Sequence, residues 1–318
     1  MNSSRPGRLS ALADALDAAL PGAVERDRRI SELTTFRLGG PIRLVARVSD
    51  EDALARVAMV VAEHRPPILV LGRGSNLLVA DEGFDGLGLV LTGRFEDVAL
   101  DPTASLVHAG GAAPLPVVAR QAAAGGLGGL EFLVGIPGSI GGAVRMNAGG
   151  HGRETREVLV RARIVDLHAG SGIPSERDAA DLDLGYRHSN VGPGDVVVGA
   201  TLRAEAEPPE ICGARIDEIV RWRRQHQPGG ANAGSVFRNP PDDAAGRLID
   251  VSGCKGLRVG DAEVSSKHAN FFQAGADATA RDVYDLLRAV QARVQDATGV
   301  RLVPELHMVG FPEEGDDG

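Results

Sequence analysis

Cysteine and aromatic residues are scarce components of this sequence, and each shortage excludes a class of function. The two cysteines, Cys212 and Cys254, form no CxxC pair, so the chain has no disulfide framework and suits a reducing compartment. Both read as small buried apolar residues. No His/Cys/Asp cluster carries metal-ligand spacing, and no metal is expected. Aromatic residues supply 3% of the chain, too few for a base-stacking surface, and a net charge of −9 disfavours nucleic acid and anionic membrane as main partners. No apolar run approaches the roughly 18 residues that span a bilayer. Near the start, Arg5 and Arg8 precede Leu9, Leu12, Leu16 and Leu20, but Asp14 and Asp17 interrupt them. That stretch is no signal-peptide core and reads as a short amphipathic helix. The expectation is a soluble, cytoplasmic monomer whose acidic tail, 313–318, frays.

Glycine is abundant, at 42 residues. It concentrates in 125–152, GGLGGLEFLVGIPGSIGGAVRMNAGGHG, where charge nearly vanishes. Such density marks backbone at positive φ or with another group pressed against it. Gly135, Gly138, Gly141 and Gly142 bracket Pro137 and Ser139, so their N–H groups can turn inward as an anion nest, suited above all to phosphate. The other reading is a tight packing turn. A second loop, GRGSNLL at 72–78, follows the apolar run 68–71 as a strand and phosphate-type turn. A Rossmann fingerprint would need glycine where Leu77 stands, and no Walker A pattern occurs.

From Thr34 onward the pattern alternates between strand and helix. Residues 42–48, 87–91, 106–108, 158–167 and 196–205 read as strands. Ser49-x-x-Asp52 opens a helix through Leu54, Val57 and Val61, and Pro114 opens another that ends at Gly125 and Gly126. Pro208-Pro209 is the best boundary, just before an amphipathic helix over 211–222. Beyond it come a strand near 265–273, a helix capped by Thr279 with Val283, Leu286, Leu287, Val290 and Val294 on one face, Gly299 at its end, and a closing strand over 301–309. A length of 318 residues with 43% hydrophobic content supports two domains. They are expected over 1–208, with a core at about 33–206, and over 209–318. No internal repeat appears.

Six motifs then carry a resemblance. GRGSNLL (72–78), GLEFLVGIPGSIGGAVRMNAG (129–149), YRHS (186–189), GSVFRNP (234–240), SSKHANFF (265–272) and VPEL (303–306) occur in the order found in the MurB family, the UDP-N-acetylenolpyruvoylglucosamine reductases. The chain resembles that family over residues 33–310. The resemblance implies an α+β fold: an FAD-binding domain of the vanillyl-alcohol-oxidase (PCMH) type followed by a smaller α+β substrate-binding domain. It also implies a function, the NADPH-dependent, FAD-mediated reduction of UDP-N-acetylglucosamine enolpyruvate to UDP-N-acetylmuramate in peptidoglycan precursor synthesis. In that reaction hydride passes from flavin N5 to C3 and a proton reaches C2.

By the same resemblance, the flavin-binding positions are Gly72, Arg73, Gly74, Ser75, Asn76 and Leu77 in the first loop. In the second they are Gly135, Ile136, Pro137, Gly138, Ser139, Gly141, Gly142, Ala143 and Asn147. Arg187 matches the carboxylate-binding arginine, whose planar fork suits a two-point grip. Glu305 matches the catalytic glutamate, hydrogen-bonding the enolate in a protonated form favoured by burial. Ser235 matches the residue that protonates C2. Tyr186, Arg223, Arg224, Arg238, Asn239, Lys255 and His268 are candidates for the substrate. His226 stands where the family often has lysine, which leaves Arg223, Arg224 and Arg238 as cations for the diphosphate or the NADPH phosphate. A flavin oxidase of the same fold would share the glycine loops but need not have Arg187, Ser235 and Glu305 together. A flavoprotein without turnover would be expected to lack one of them.

Overall fold

The computed structural model describes residues 5–312, so the acidic tail expected to fray lies outside the described residues. Two units emerge from the way the chain contacts itself. The first takes the described residues through Arg28, together with Arg43–Arg73 and Asp85–Trp222. The second takes Arg29–Ile42, Gly74–Phe84 and the described residues from Arg223 onward.

In the first unit a five-stranded antiparallel sheet runs in the order Ser175–Asp178, Leu159–Asp166, Asp195–Arg203, Leu106–Gly110, Val98–Asp101. Its central strand, Asp195–Arg203, is buried without interruption from Val196 to Leu202, as a strand covered on both faces must be. A second sheet orders Val24–Arg29, Pro41–Val48, Phe84–Leu91 and Ile68–Leu71, the last two being parallel. The helix Glu51–His64 buries Leu54, Val57, Ala58 and Val61, one stripe at helical spacing. Leu12 and Leu16 of the helix Arg5–Ala19 join the same core. The cap of Glu51–His64 is Asp50 rather than Ser49: its carboxylate accepts the Ala53 N–H at 2.8 Å, while the Ser49 hydroxyl donates to that carboxylate at 3.0 Å. This bond to Ala53, with Ser49 second, holds Asp50 below its ordinary pKa.

In the second unit the helix Ala280–Thr298 begins at a reciprocal Thr279/Asp282 capping box and ends at Gly299 in the left-handed region. Its buried Val283, Leu286, Leu287, Val290 and Val294 pack with Val264, Phe272, Phe36, Leu38 and Leu78. A three-stranded sheet runs Arg258–Val259, Ala262–Val264, Phe272–Ala274, and His307–Val309 pairs in parallel with Leu77–Val79. The strand expected over 265–273 is shorter because residues 265–268 turn, with Ser265 Oγ accepting the Lys267 N–H at 3.2 Å. The one expected over 301–309 is regular only at His307–Val309. The helix expected over 211–222 extends across Pro209–His226. Among the described residues, no helix is long and apolar enough to cross a membrane. Helices and strands together make an α+β architecture.

Candidate functional site

In the first unit the strand Ile68–Leu71 ends at Gly72, and the Ser139 hydroxyl lies directly against it. A β-carbon at 72 would stand 2.8 Å from Ser139 Oγ. Gly72, Ser139, Gly141, Gly142 and Arg145, with Gly111, Ala112 and Val197, line a small open groove of about 80 Å³. Backbone bonds fasten the glycine loop in both directions: Ile140 N–H donates to Ala113 O at 3.0 Å and Gly141 N–H to Gly111 O at 2.8 Å, while Gly138 O accepts the Leu115 N–H at 3.1 Å. The Gly141 N–H of the expected nest is thus already committed to the fold. Gly138 sits at φ 137°, a conformation that side chains rarely adopt. Ser139 precedes the helix Ile140–Met146 but makes no side-chain cap bond to it, so its hydroxyl is not there to close a turn.

Other members of the loop face elsewhere. A β-carbon at Gly135 would strike the His151 ring at 2.5 Å, Ile136 and Ala143 pack into the core, and Pro137 is exposed. Sequence reasoning missed Arg145, although it is the sole Lys or Arg in 125–152. Its guanidinium donates to Gly192 O at 3.5 Å, and burial pushes its pKa below the ordinary arginine value, a shift that Asp195 partly offsets. A half-buried cation among glycines in an open groove suits a phosphate-bearing ligand.

Asn147, expected among the flavin contacts, turns its side chain to protein instead. It is fully buried, its Nδ2 donates to Glu154 Oε2 at 3.1 Å and Gly185 O at 2.8 Å, and its Oδ1 accepts the Arg156 N–H at 2.8 Å. It thereby anchors the turn at 185–188, whose ends exchange backbone bonds of 3.1 and 3.2 Å. Arg187 projects from that turn at φ 54°. It donates to Gly149 O at 3.5 Å and lies 5.0 Å from the centroid of the Tyr186 ring.

The second unit gathers a different set. Asn76 Nδ2 donates to Glu305 O at 3.0 Å, and Glu305 N–H donates to Val236 O at 2.7 Å. Ser235 bridges Phe271, and Phe237 bridges Pro304. Asn76, Ser235 and Glu305 are therefore brought to one neighbourhood, and the side chains of Ser235 and Glu305 are half-buried. Gly74 is fixed as glycine because a β-carbon would fall 2.1 Å from Leu33 O. Leu77 is buried in its strand, whereas Arg73 is exposed.

The expected substrate cations differ in their surroundings. Burial lowers the Arg223 pKa, and its Nε donates to Gln227 Oε1 at 2.8 Å. Arg224 is exposed, Arg238 has a buried Nε with no hydrogen-bond partner, and Lys255 pairs with Asp250 at 2.7 Å. Asn239 Oδ1 accepts the Ala245 N–H at 3.0 Å at the start of the helix Ala245–Val251. His268 lies edge-on to Phe271 at 4.7 Å, and burial holds its pKa below the usual histidine value. Among the described residues, Glu131, Glu207 and Cys212 form the one group that could hold a metal ion. However, Arg215 donates to Glu207 Oε1 at 2.8 Å and Glu131 Oε1 at 3.4 Å. Burial, with these two carboxylates, pushes the Cys212 thiol up to about 11, so it is a poor ligand at neutral pH.

Comparison with known proteins gives these features a frame. Residues 42–172 match the family described as FAD binding domain. Residues 225–309 match the C-terminal domain of UDP-N-acetylenolpyruvoylglucosamine reductase. The fold and these matches define an FAD-dependent oxidoreductase. The chain is 43% identical over 302 residues to the UDP-N-acetylenolpyruvoylglucosamine reductase of Acidiphilium cryptum, covering 94% of this chain and 96% of that one. It is 40% identical over 292 residues to UDP-N-acetylenolpyruvoylglucosamine reductase 2 of Symbiobacterium thermophilum, covering 91% and 93%. The solved structure of MurB from Thermus caldophilus superposes with a TM-score of 0.76 at 36% identity, over 90% of this chain and 98% of that one. The chain belongs to the UDP-N-acetylenolpyruvoylglucosamine reductase family.

Proposed function

We propose that this protein reduces UDP-N-acetylglucosamine enolpyruvate to UDP-N-acetylmuramate, with FAD as carrier and NADPH as reductant, in cytoplasmic peptidoglycan precursor synthesis. The observation that carries the reading is the Ser235 segment, hydrogen-bonded directly to the backbone of Glu305. A reductase of an enol ether needs an acid beside the carbon that becomes negative, whereas an oxidase needs a base. Ser235 gives its proton to C2, and Glu305 hydrogen-bonds the charge developing next to it. Arg187 grips the substrate carboxylate with its fork and tempers the same charge. NADPH oxidation is expected only when the enolpyruvyl substrate is present, above the slow oxygen-driven rate; no stimulation by that substrate would overturn the reading.

The groove in the first unit suits FAD. Gly142, where a β-carbon would meet nothing, lets a ligand approach the main chain, Ser139 offers a buried hydroxyl, and Arg145 offers a countercharge for phosphate. When bound, FAD supplies hydride transfer between the nicotinamide and the enolpyruvyl carbon. Gly142 provides a clean test, because a β-carbon there meets nothing within 4 Å and a larger side chain would occupy groove rather than core. Gly142→Val is expected to fold with a melting temperature near that of the parent but to purify colourless or flavin-poor. A folded variant that holds FAD as well as the parent would remove the groove from the cofactor site.

A further inference from the structure

Ser235 lies on a segment too short to be a regular strand, and something must hold it. Ser235 itself bridges Phe271, the chain neighbour of Asn270. On one side of the segment is the single bridge of Phe237 to Pro304, with Arg238 N–H donating to Val303 O at 2.9 Å. On the other is Asn270, only 3% exposed. Its Nδ2 donates to Phe237 O at 2.8 Å, its Oδ1 accepts the Phe237 N–H at 2.9 Å, and its backbone oxygen accepts the Val236 N–H at 2.8 Å. The side-chain amide thus pairs with both backbone groups of Phe237 as a neighbouring strand would. Phe237 and Val236 are buried in the core of this unit, where unpaired backbone groups are costly. An apolar residue at 270 would leave both groups of Phe237 without partners.

We propose that Asn270 is a positioning residue for proton delivery. It fixes residues 235–238 in register against 303–305, so that the Ser235 hydroxyl and the Glu305 carboxyl keep a set spacing. The assignment rests on Ser235 acting as the proton donor. Asn270 itself does not touch the substrate, and its effect is transmitted through two backbone groups of Phe237. Because the segment carries no flavin-groove residue, its loosening should reach only the step that uses Ser235.

The test compares Asn270→Ala, and Asn270→Asp as the isosteric variant if alanine does not fold, with Ser235→Ala and the double variants, in full-length FAD-loaded protein. Flavin content and reduction by NADPH are expected at the parent level. Reoxidation by the enolpyruvyl substrate is expected to slow by about 10- to 100-fold, the scale of a misplaced catalytic group. Adding either Asn270 change to Ser235→Ala should slow the step little further, because the two act as one unit. Parent-rate reoxidation in a folded Asn270 variant, equal slowing of both half-reactions, or fully additive losses would each overturn the positioning role. Parent-rate reoxidation in Ser235→Ala would instead sink the donor assignment beneath it.

Discussion

Replacing Ser235 by alanine is expected to slow reoxidation of the reduced flavin by UDP-N-acetylglucosamine enolpyruvate by about 10² to 10⁴-fold, the usual range for a positioned acid or base. FAD content and reduction by NADPH should stay at the parent level. A serine hydroxyl is a weak acid, so it can serve here only if it is held at the carbon while negative charge develops, which makes placement the main contribution. The segment that carries it is tied through Val236 to Glu305 and through Phe237 to Asn270. Ser235→Cys should restore part of the loss, since a thiol also donates a proton. Stopped-flow absorbance of the two half-reactions, measured separately, checks both variants.

Arg187→Lys is expected to lower substrate turnover by roughly 10²-fold or more, the scale of losing one donor to a developing anion. The change keeps the charge and removes only the fork, so it isolates the two-point grip on the carboxylate. The anchoring of the turn does not depend on the guanidinium, because Asn147 holds Gly185 O and residues 185 and 188 bond each other. Reduction by NADPH should therefore survive, with the loss confined to the second half-reaction in steady-state and single-turnover assays. Turnover equal to the parent would remove Arg187 from the site.

The glycine loops were legible because glycine density reports directly on backbone crowding, and Gly74 and Gly138 sit where a side chain is strained. Helix ends marked by Pro114, Thr279 and Gly299 were legible for the same local reason. Ser235, Arg187 and Glu305 were not distinguishable by residue type in a chain with 34 basic and 43 acidic residues; only the order of motifs singled them out. What stayed hidden is tertiary. Residues 29–42 and 74–84 cluster with the C-terminal part of the chain through contacts such as Phe36, Leu38 and Leu78 with the core of that unit, and no local signal announces this. Asn147 was legible as a polar residue in a glycine loop, but its partners, Gly185 and Arg156, lie on other segments. Asn270 lies within the SSKHANFF motif, but a side chain that imitates a strand neighbour is legible only once Phe237 stands opposite it.

Electron transfer from the flavin to an enolpyruvyl ether separates a reductase of that substrate from an oxidase of the same fold. Its most direct test is to reduce the purified protein with NADPH in the absence of oxygen, add UDP-N-acetylglucosamine enolpyruvate, and follow the flavin absorbance. The oxidised flavin spectrum is expected to return on addition of that substrate, with one UDP-N-acetylmuramate formed for each flavin reoxidised. A flavin that stays reduced until oxygen is admitted would contradict it.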